Sequence, residues 1–502
     1  MSVLVVMPVL LPLLAGGVSV ALARSHPAQR LLSVTVLVAV VADAAALLVI
    51  ADRQGPIAVP VGGWAAPVGI TLVADRFSAL LLMVSLLVTL AVLLFAIGQG
   101  VADELAPAVV FHPAYLLLTA GVALAYLAGD LFNLFVAFEI MLGSSYVLIT
   151  LDATEPSVRA GMTYTMTSLT SSLFFLTMIG LLYAATGTVN LADLAGRTTA
   201  LADGLQNALS LLALLVFGIK SAAVPLHFWL PDSYPVAPAP ITAVFAALLT
   251  KVGVYAMVRT QTLLFPRTET WLLLAVVAIA TLTVGILGAI VQDDLDRLLS
   301  FTLVSHIGFM LFGLALSDVA GLTGTILYMV HHITVQATLF LAAGLITART
   351  GTASLRGMAQ RDPPSQAVAV LFLIPALSLS GIPPLSGFVA KLALLRAGVA
   401  AGDAAAYAIT AAAVLVSLLT LYAVLRPWRA VFSAGPGGPP AVSGGRPPGR
   451  GGVLLFGATA GMVLTGLALA AGAGPLALVS ERAAADLVDR DAYRSAVLGG
   501  IR

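Results

Sequence analysis

The chain has 502 residues, 60% of them apolar and 9% charged. An ordinary soluble protein carries about 25% charge, so a water-soluble enzyme is excluded. The net charge of +1 gives no reason to expect a nucleic-acid partner, and the absence of cysteine excludes disulfides, thiolate metal sites and Cys-ligated iron–sulfur clusters. No cofactor is expected; redox chemistry, if any, belongs to a partner.

At about 20 residues per crossing, the length admits up to about 14 transmembrane helices. Apolar runs bounded by Gly, Pro or charge predict spans near 3–22, 29–51, 74–97, 113–129, 131–150, 161–185, 205–230, 239–262, 271–291, 298–316, 320–347, 366–395, 404–425 and 453–473, hence an all-α polytopic membrane protein. The first run lacks a basic flank, exceeds a signal sequence in length and is followed by Arg24 and Arg30, so it is expected to be a retained span. Asp43 falls in mid-span without a partner signal and reads as structural or close to the bundle surface. With the N-terminus outside, eleven loop arginines face the cytoplasm against six on the other side, which favours a plasma-membrane protein with both termini outside.

Glu139, in DLFNLFVAFEIMLGSSY, lies eight residues into its span. A carboxylate near the bilayer centre costs about 2.5 kcal/mol or more on insertion scales, so it requires a partner or a wet cavity. All three lysines, Lys220, Lys251 and Lys391, also lie inside apolar spans, whereas the 21 arginines lie mostly at loops or span ends. Lysine can release a proton; arginine cannot. Snorkelling to the headgroups is the competing reading, stronger for Lys251 and Lys391 than for Lys220. Lys220 is the expected partner of Glu139, as a switchable proton site or as a static ion pair between helices. Pro225 follows Lys220 by five residues and removes the helical partner of the Ser221 carbonyl, which predicts a helix break and a ligand for the ammonium. Pro383 and Pro384 likewise free the Leu379 and Ser380 carbonyls, with Lys391 seven residues beyond.

His306 and the adjacent His331 and His332 complete the polar set. Tyr328, His332 and Gln336 share one helix face, matched earlier by Tyr164, Ser168 and Ser172. Histidine exchanges protons near neutrality through either ring nitrogen, so such a row can hold a water wire; each single histidine serves equally as a packing residue. A metal site is not expected, since His331 and His332 face different ways and no HExxH spacing exists.

Residues 164–191 lie over 328–355 at a constant offset of 164, both ending in Thr-Gly-Thr-x-x-Leu. Each copy leads into a Pro-broken segment. The copies are five spans apart, and an odd number reverses direction across the bilayer, so they form an inverted-topology pair. Residues 435–452 hold 13 Gly or Pro in 18 positions and predict a disordered linker. The tail from Glu481 suits a short surface helix, on the membrane or docked on a neighbour.

GDLFNLFVAFEIMLGSSYVL, GIKSAAVPLHFWLPDSYPVAPAPITA, LLTKVGVYAMVR, RLLSFTLVSHIGFM and GIPPLSGFVAKL resemble the antiporter-like subunits shared by complex I and the Mrp cation/proton antiporters. The likeness covers roughly residues 70–430. Within that family the chain is most similar to the D-type Mrp subunits, given the run before Glu139 and a lysine at 391 where one complex I subunit has glutamate. The resemblance implies fourteen helices with two inverted five-helix units. The expected division is 1–100, a three-helix segment; 101–265 and 266–430, the two units; 431–452, the linker; and 453–502, the last span and tail. It also implies Glu139 and Lys220 as a paired switch, Lys251 as central relay, His306 and one of His331 or His332 as bridges, and Lys391 as the terminal proton site. The implied setting is a hetero-oligomeric Mrp-type complex in a lipid bilayer, exchanging Na⁺ for protons. Two other readings use the same residues: a proton-pumping subunit of a complex I type oxidoreductase or membrane hydrogenase, and a scaffold whose buried charges only fix helix registry.

Overall fold

The computed structural model describes residues 2–104, 110–266, 270–432 and 450–499. Most of the predicted linker lies outside them. Helices Ser2–Ala21 (α1) and His26–Gln54 (α2) lead to a hairpin of Ile57–Pro60 (β1) and Thr71–Ala74 (β2), antiparallel with Ile57 opposite Ala74. The sequence reading had only a loop there. Arg76–Gln99 (α3), Phe111–Leu127 (α4), Leu131–Ile149 (α5), Glu155–Thr186 (α6), Leu191–Arg197 (α7) and Asp203–Ser221 (α8) follow. The later half holds Ala239–Leu263 (α9), Trp271–Val291 (α10), Leu295–Leu316 (α11), Val319–Thr350 (α12), Gln366–Ser380 (α13), Ser386–Ala401 (α14) and Ala404–Phe432 (α15). The chain closes with Arg450–Ala471 (α16), Ala473–Val488 (α17) and Asp491–Leu498 (α18).

Among the described residues, twelve helices are long and apolar enough to cross a membrane. The remaining two predicted spans fall on shorter apolar segments, α4 and the α13–α14 pair. The break in that pair spans Gly381 to Leu385, and the break after α8 begins at Ala222, which adopts a left-handed φ of 60°. Both sit where the prolines predicted them. A backbone without helical bonds survives at membrane depth only when buried in protein or lining a cavity.

Burial ranks the helices. In α9 the most apolar window is buried throughout, while in α16 only 22% of it is. The polar residues on α9, α11 and α12 therefore face protein rather than lipid. Local structure also recurs at the offset read from sequence. Asp130 bridges Asn190 as Asp294 bridges Ser354, and α6 and α12 both have 32 residues. Asp130 and Asp294 each cap the next helix, accepting from Asn133 and Arg297 N–H at 2.6 and 2.9 Å.

The tail differs from its expectation. The helix after the linker resumes beyond Gly472 and runs to Val488, so Glu481 lies within α17 rather than at the start of a separate surface helix. The short helix is α18, which docks on this same chain through Tyr493 and Val497.

Candidate functional site

The first cluster forms where α5, α6 and α8 meet. Ser172 donates a short hydrogen bond to Glu139 Oε1, and Lys220 Nζ donates to Ser172 Oγ at 3.0 Å. Glu139 and Lys220 are thus joined through a hydroxyl instead of a direct ion pair. The ammonium also reaches Ser168 O at 3.5 Å and lies 5.0 Å from the Phe138 ring centroid. The predicted Ser221 carbonyl is not its ligand. The reason is geometric: Lys220 precedes the break and points across to α6, and Trp229 Nε1 folds back onto Ile219 O at 3.1 Å. A cavity of about 30 Å³ borders Lys220, Ser168, Tyr164 and Trp229, enough for one or two waters.

Lys251 lies on α9 beside this break. Gly253, two residues on, packs against the Lys220–Ser221 backbone so closely that a Cβ would sit 2.8 Å from Ser221 N. The Lys251 side chain is fully buried and donates to Ala246 O. Snorkelling is thereby excluded for Lys251, whose amine never approaches a surface.

The later cluster fills the space between α11, α12, α14 and α15. His306 Nδ1 meets Tyr328 OH at 2.5 Å, and His306 Nε2 faces Thr420 Oγ1 at 3.4 Å. The His306 and His332 rings are 5.3 Å apart by centroid. His331 turns the other way, to Ser386 Oγ at 2.9 Å, and Ser386 contacts Ser378 across the α13–α14 break. Lys391 Nζ donates to Ser380 O at 3.1 Å, a carbonyl that Pro384 frees as predicted, and stands 4.6 Å from the Phe309 ring. Both nitrogens of His332, Nε2 of His331, Oε1 of Gln336 and Oγ1 of Thr250 are buried without a hydrogen-bond partner. Each such atom costs about 1–3 kcal/mol unless water satisfies it, so the line from Lys251 to Lys391 contains polar places suited to water.

Sequence reasoning did not separate Ser172 from the rest of its stripe, and it missed Ser386 and Thr420. Nothing in one chain tells a bridging hydroxyl from the many serines that merely bond their own helix. Arg259, one of the six arginines assigned above to loops on the outer side, is a further difference. Arg259 is buried and paired with Asp75 at 2.6 Å.

Fold and site define a multi-pass helical membrane protein with lysine and histidine side chains packed among its helices. A family model described as NADH:quinone oxidoreductase/Mrp antiporter, TM, matches residues 128–420. The D-type subunit of the Na(+)/H(+) antiporter of Alkalihalophilus pseudofirmus is 39% identical over 429 residues, covering 85% of this chain and 86% of that protein. Its Bacillus subtilis counterpart is 37% identical over 432 residues, with 85% and 86% covered. A chain in the structure of the Mrp complex from a Dietzia species matches with a TM-score of 0.89 at 35% identity, covering 99% of this chain and 100% of that chain. A chain of the membrane-bound sulfane sulfur reductase, an archaeal respiratory membrane complex, also reaches 0.89, at 25% identity and the same coverage. This protein belongs to the NADH:quinone oxidoreductase/Mrp antiporter transmembrane family.

Proposed function

We propose that the chain is the proton-conducting subunit of a hetero-oligomeric Na⁺/H⁺ antiporter in the cell membrane, with both termini on the outer side and two inverted five-helix units. It acts as a transporter subunit, not as an enzyme. Protons enter at the Glu139–Ser172–Lys220 cluster and pass to Lys251. From there His332, His306 and Tyr328 carry them toward His331 and Lys391. Both adjacent histidines take part: His332 faces His306, while His331 bonds Ser386 at the break that holds Lys391.

The observation that carries this reading is that all three amines sit among packed helices, Lys251 and Lys391 buried and Lys220 part-buried, with Glu139 joined to Lys220 through Ser172. The two solved neighbours have equal TM-scores, so fold alone does not choose between antiporter and respiratory pump. The curated relatives, both named as D-type antiporter subunits and covered over most of their length, favour the antiporter.

Glu139→Ala and Lys220→Ala, each made in the assembled complex, are expected to lower Na⁺-dependent proton exchange in membrane vesicles by about a hundredfold, the usual worth of a positioned proton-transfer group. Exchange at the wild-type rate in either variant would refute the switch.

A further inference from the structure

Helix α14 starts without a cap of its own. Its N-cap position is Leu385, whose side chain accepts nothing, so the first N–H groups of the helix need an acceptor from elsewhere. Ser378 on α13 supplies one: Gly387 N–H donates to Ser378 Oγ at 3.4 Å across the break. The approach is so close that a Cβ at Gly387 would collide with Ser378 O and stand 2.9 Å from His331 Nε2. From Ser378 the contacts run on to Ser386 Oγ at 3.3 Å, and from there to His331 Nδ1 at 2.9 Å. All three side chains are buried.

The cap fixes which way this row of hydrogens points. Gly387 N–H can only donate, so it occupies one lone pair of Ser378 Oγ. Among the described residues the Ser378 hydroxyl has Ser386 Oγ as its one protein acceptor. The Ser386 hydroxyl, receiving that hydrogen, has His331 Nδ1 left to donate to. In the opposite polarity Nδ1–H would donate to Ser386 and Ser386 to Ser378, and the Ser378 hydrogen would be buried without a protein acceptor, which buried polar groups rarely tolerate. The favoured row therefore runs from Gly387 through Ser378 and Ser386 to His331, with the ring hydrogen on Nε2, a buried atom without a protein partner. A cavity of about 10 Å³ borders His331 and Ser386, roughly the space of one water.

We propose that Ser386, oriented by Ser378, is a positioning residue that holds His331 in the Nε2–H tautomer. The resting ring then offers Nε2–H as a donor, and its basic nitrogen lies under the Ser386 hydroxyl. A neutral imidazole gains a proton only at its free lone pair, so His331 takes up a further proton at Nδ1 when that hydroxyl turns away. The consequence for exchange rests on the transport reading above; the tautomer does not.

The test uses the assembled complex with ¹⁵N-labelled histidine, His331 being located by difference from His331→Gln. Solid-state nitrogen spectra are expected to show Nδ1 unprotonated and hydrogen-bonded and Nε2 protonated. In Ser386→Ala neither nitrogen keeps a protein partner, and the Nδ1–H form is expected to appear beside the other. Na⁺-dependent proton exchange in vesicles is expected to fall about a hundredfold in that variant, the cost of misplacing a reacting group. Ser386→Thr restores the hydroxyl and with it the single tautomer and the rate. A wild-type ring protonated on Nδ1 overturns the proposal, as does a Ser386→Ala complex whose His331 spectrum is unchanged. An assembled Ser386→Ala complex that exchanges at the wild-type rate overturns the positioning role, even if it is less stable to heat. Wild-type vesicles without Na⁺-dependent exchange, with the nitrogen spectra as expected, would instead defeat the transport reading and leave the tautomer supported.

Discussion

At the scale of single residues, the acid and the amine of the first cluster communicate through one hydroxyl. Ser172 donates to Glu139 and accepts from Lys220. A hydroxyl supplies both roles at once, so a proton can shift along it in either direction. Ser172→Ala removes the link and leaves a part-buried amine without that acceptor, at a cost of about 1–3 kcal/mol. Ser172→Thr restores the hydroxyl. Exchange is expected to fall in the alanine variant and to return in the threonine variant; equal rates in both would show that the bridge plays no part. The residue types were legible because lysine is confined to apolar runs in this chain. The bridge was not, because a serine in a helix gives no sign of whether it bonds its own backbone, as Ser144 does, or reaches across.

At the scale of elements, two broken helices place Lys220 and Lys391. Proline at 225, 383 and 384 made both breaks readable, since it withdraws an N–H and clashes with the preceding turn. What the breaks bind was only half readable. Lys391 takes the freed Ser380 carbonyl, but Lys220 does not take Ser221, because it precedes its break and points away to α6. The close fit of α9 against α8 depends on Gly253, where a Cβ would meet Ser221 N at 2.8 Å and Lys220 C at 2.9 Å. Both are backbone atoms and cannot swing aside. Gly253→Ala is expected to cost about 1–3 kcal/mol in overpacking and to displace Lys220. The measurements are the thermal midpoint of the complex and its exchange rate; an unchanged midpoint with an unchanged rate would show that the helices can separate freely.

At the scale of the whole molecule, residues far apart in sequence tie the tail to the hairpin end, with Asp486 on Arg76 and the Tyr493 ring 5.2 Å from the Arg259 guanidinium. Burial raises the Asp75 carboxyl, but the Arg259 guanidinium and the Ser78 N–H outweigh it and hold it below the usual carboxylate range. A carboxyl depressed on folding lends stability that is fully present above its unfolded value, about 3.9, and is lost as pH falls through its lower folded value. Hydrogen exchange of Asp491–Leu498 is therefore expected to stay slow from neutral pH down to about 4 and to quicken only below that. In Asp75→Asn it is expected to be faster already at neutral pH. Loss of protection in the wild type well above this window would contradict the Asp75–Arg259 anchor.

Membrane class, approximate spans, helix breaks and the ionisable residues inside the spans were all readable from the chain alone. Each of these follows from local facts: apolar run length, proline stereochemistry, and the cost of placing an ionisable group among apolar neighbours. Tertiary structure alone decided that Ser172 joins acid to amine, that His331 and His332 serve opposite neighbours, that Arg259 is buried, and that the tail closes over one end. Those are distances between residues up to several hundred positions apart, such as Arg76 and Asp486, and no local pattern encodes them because packing selects the partner only after the helices have met.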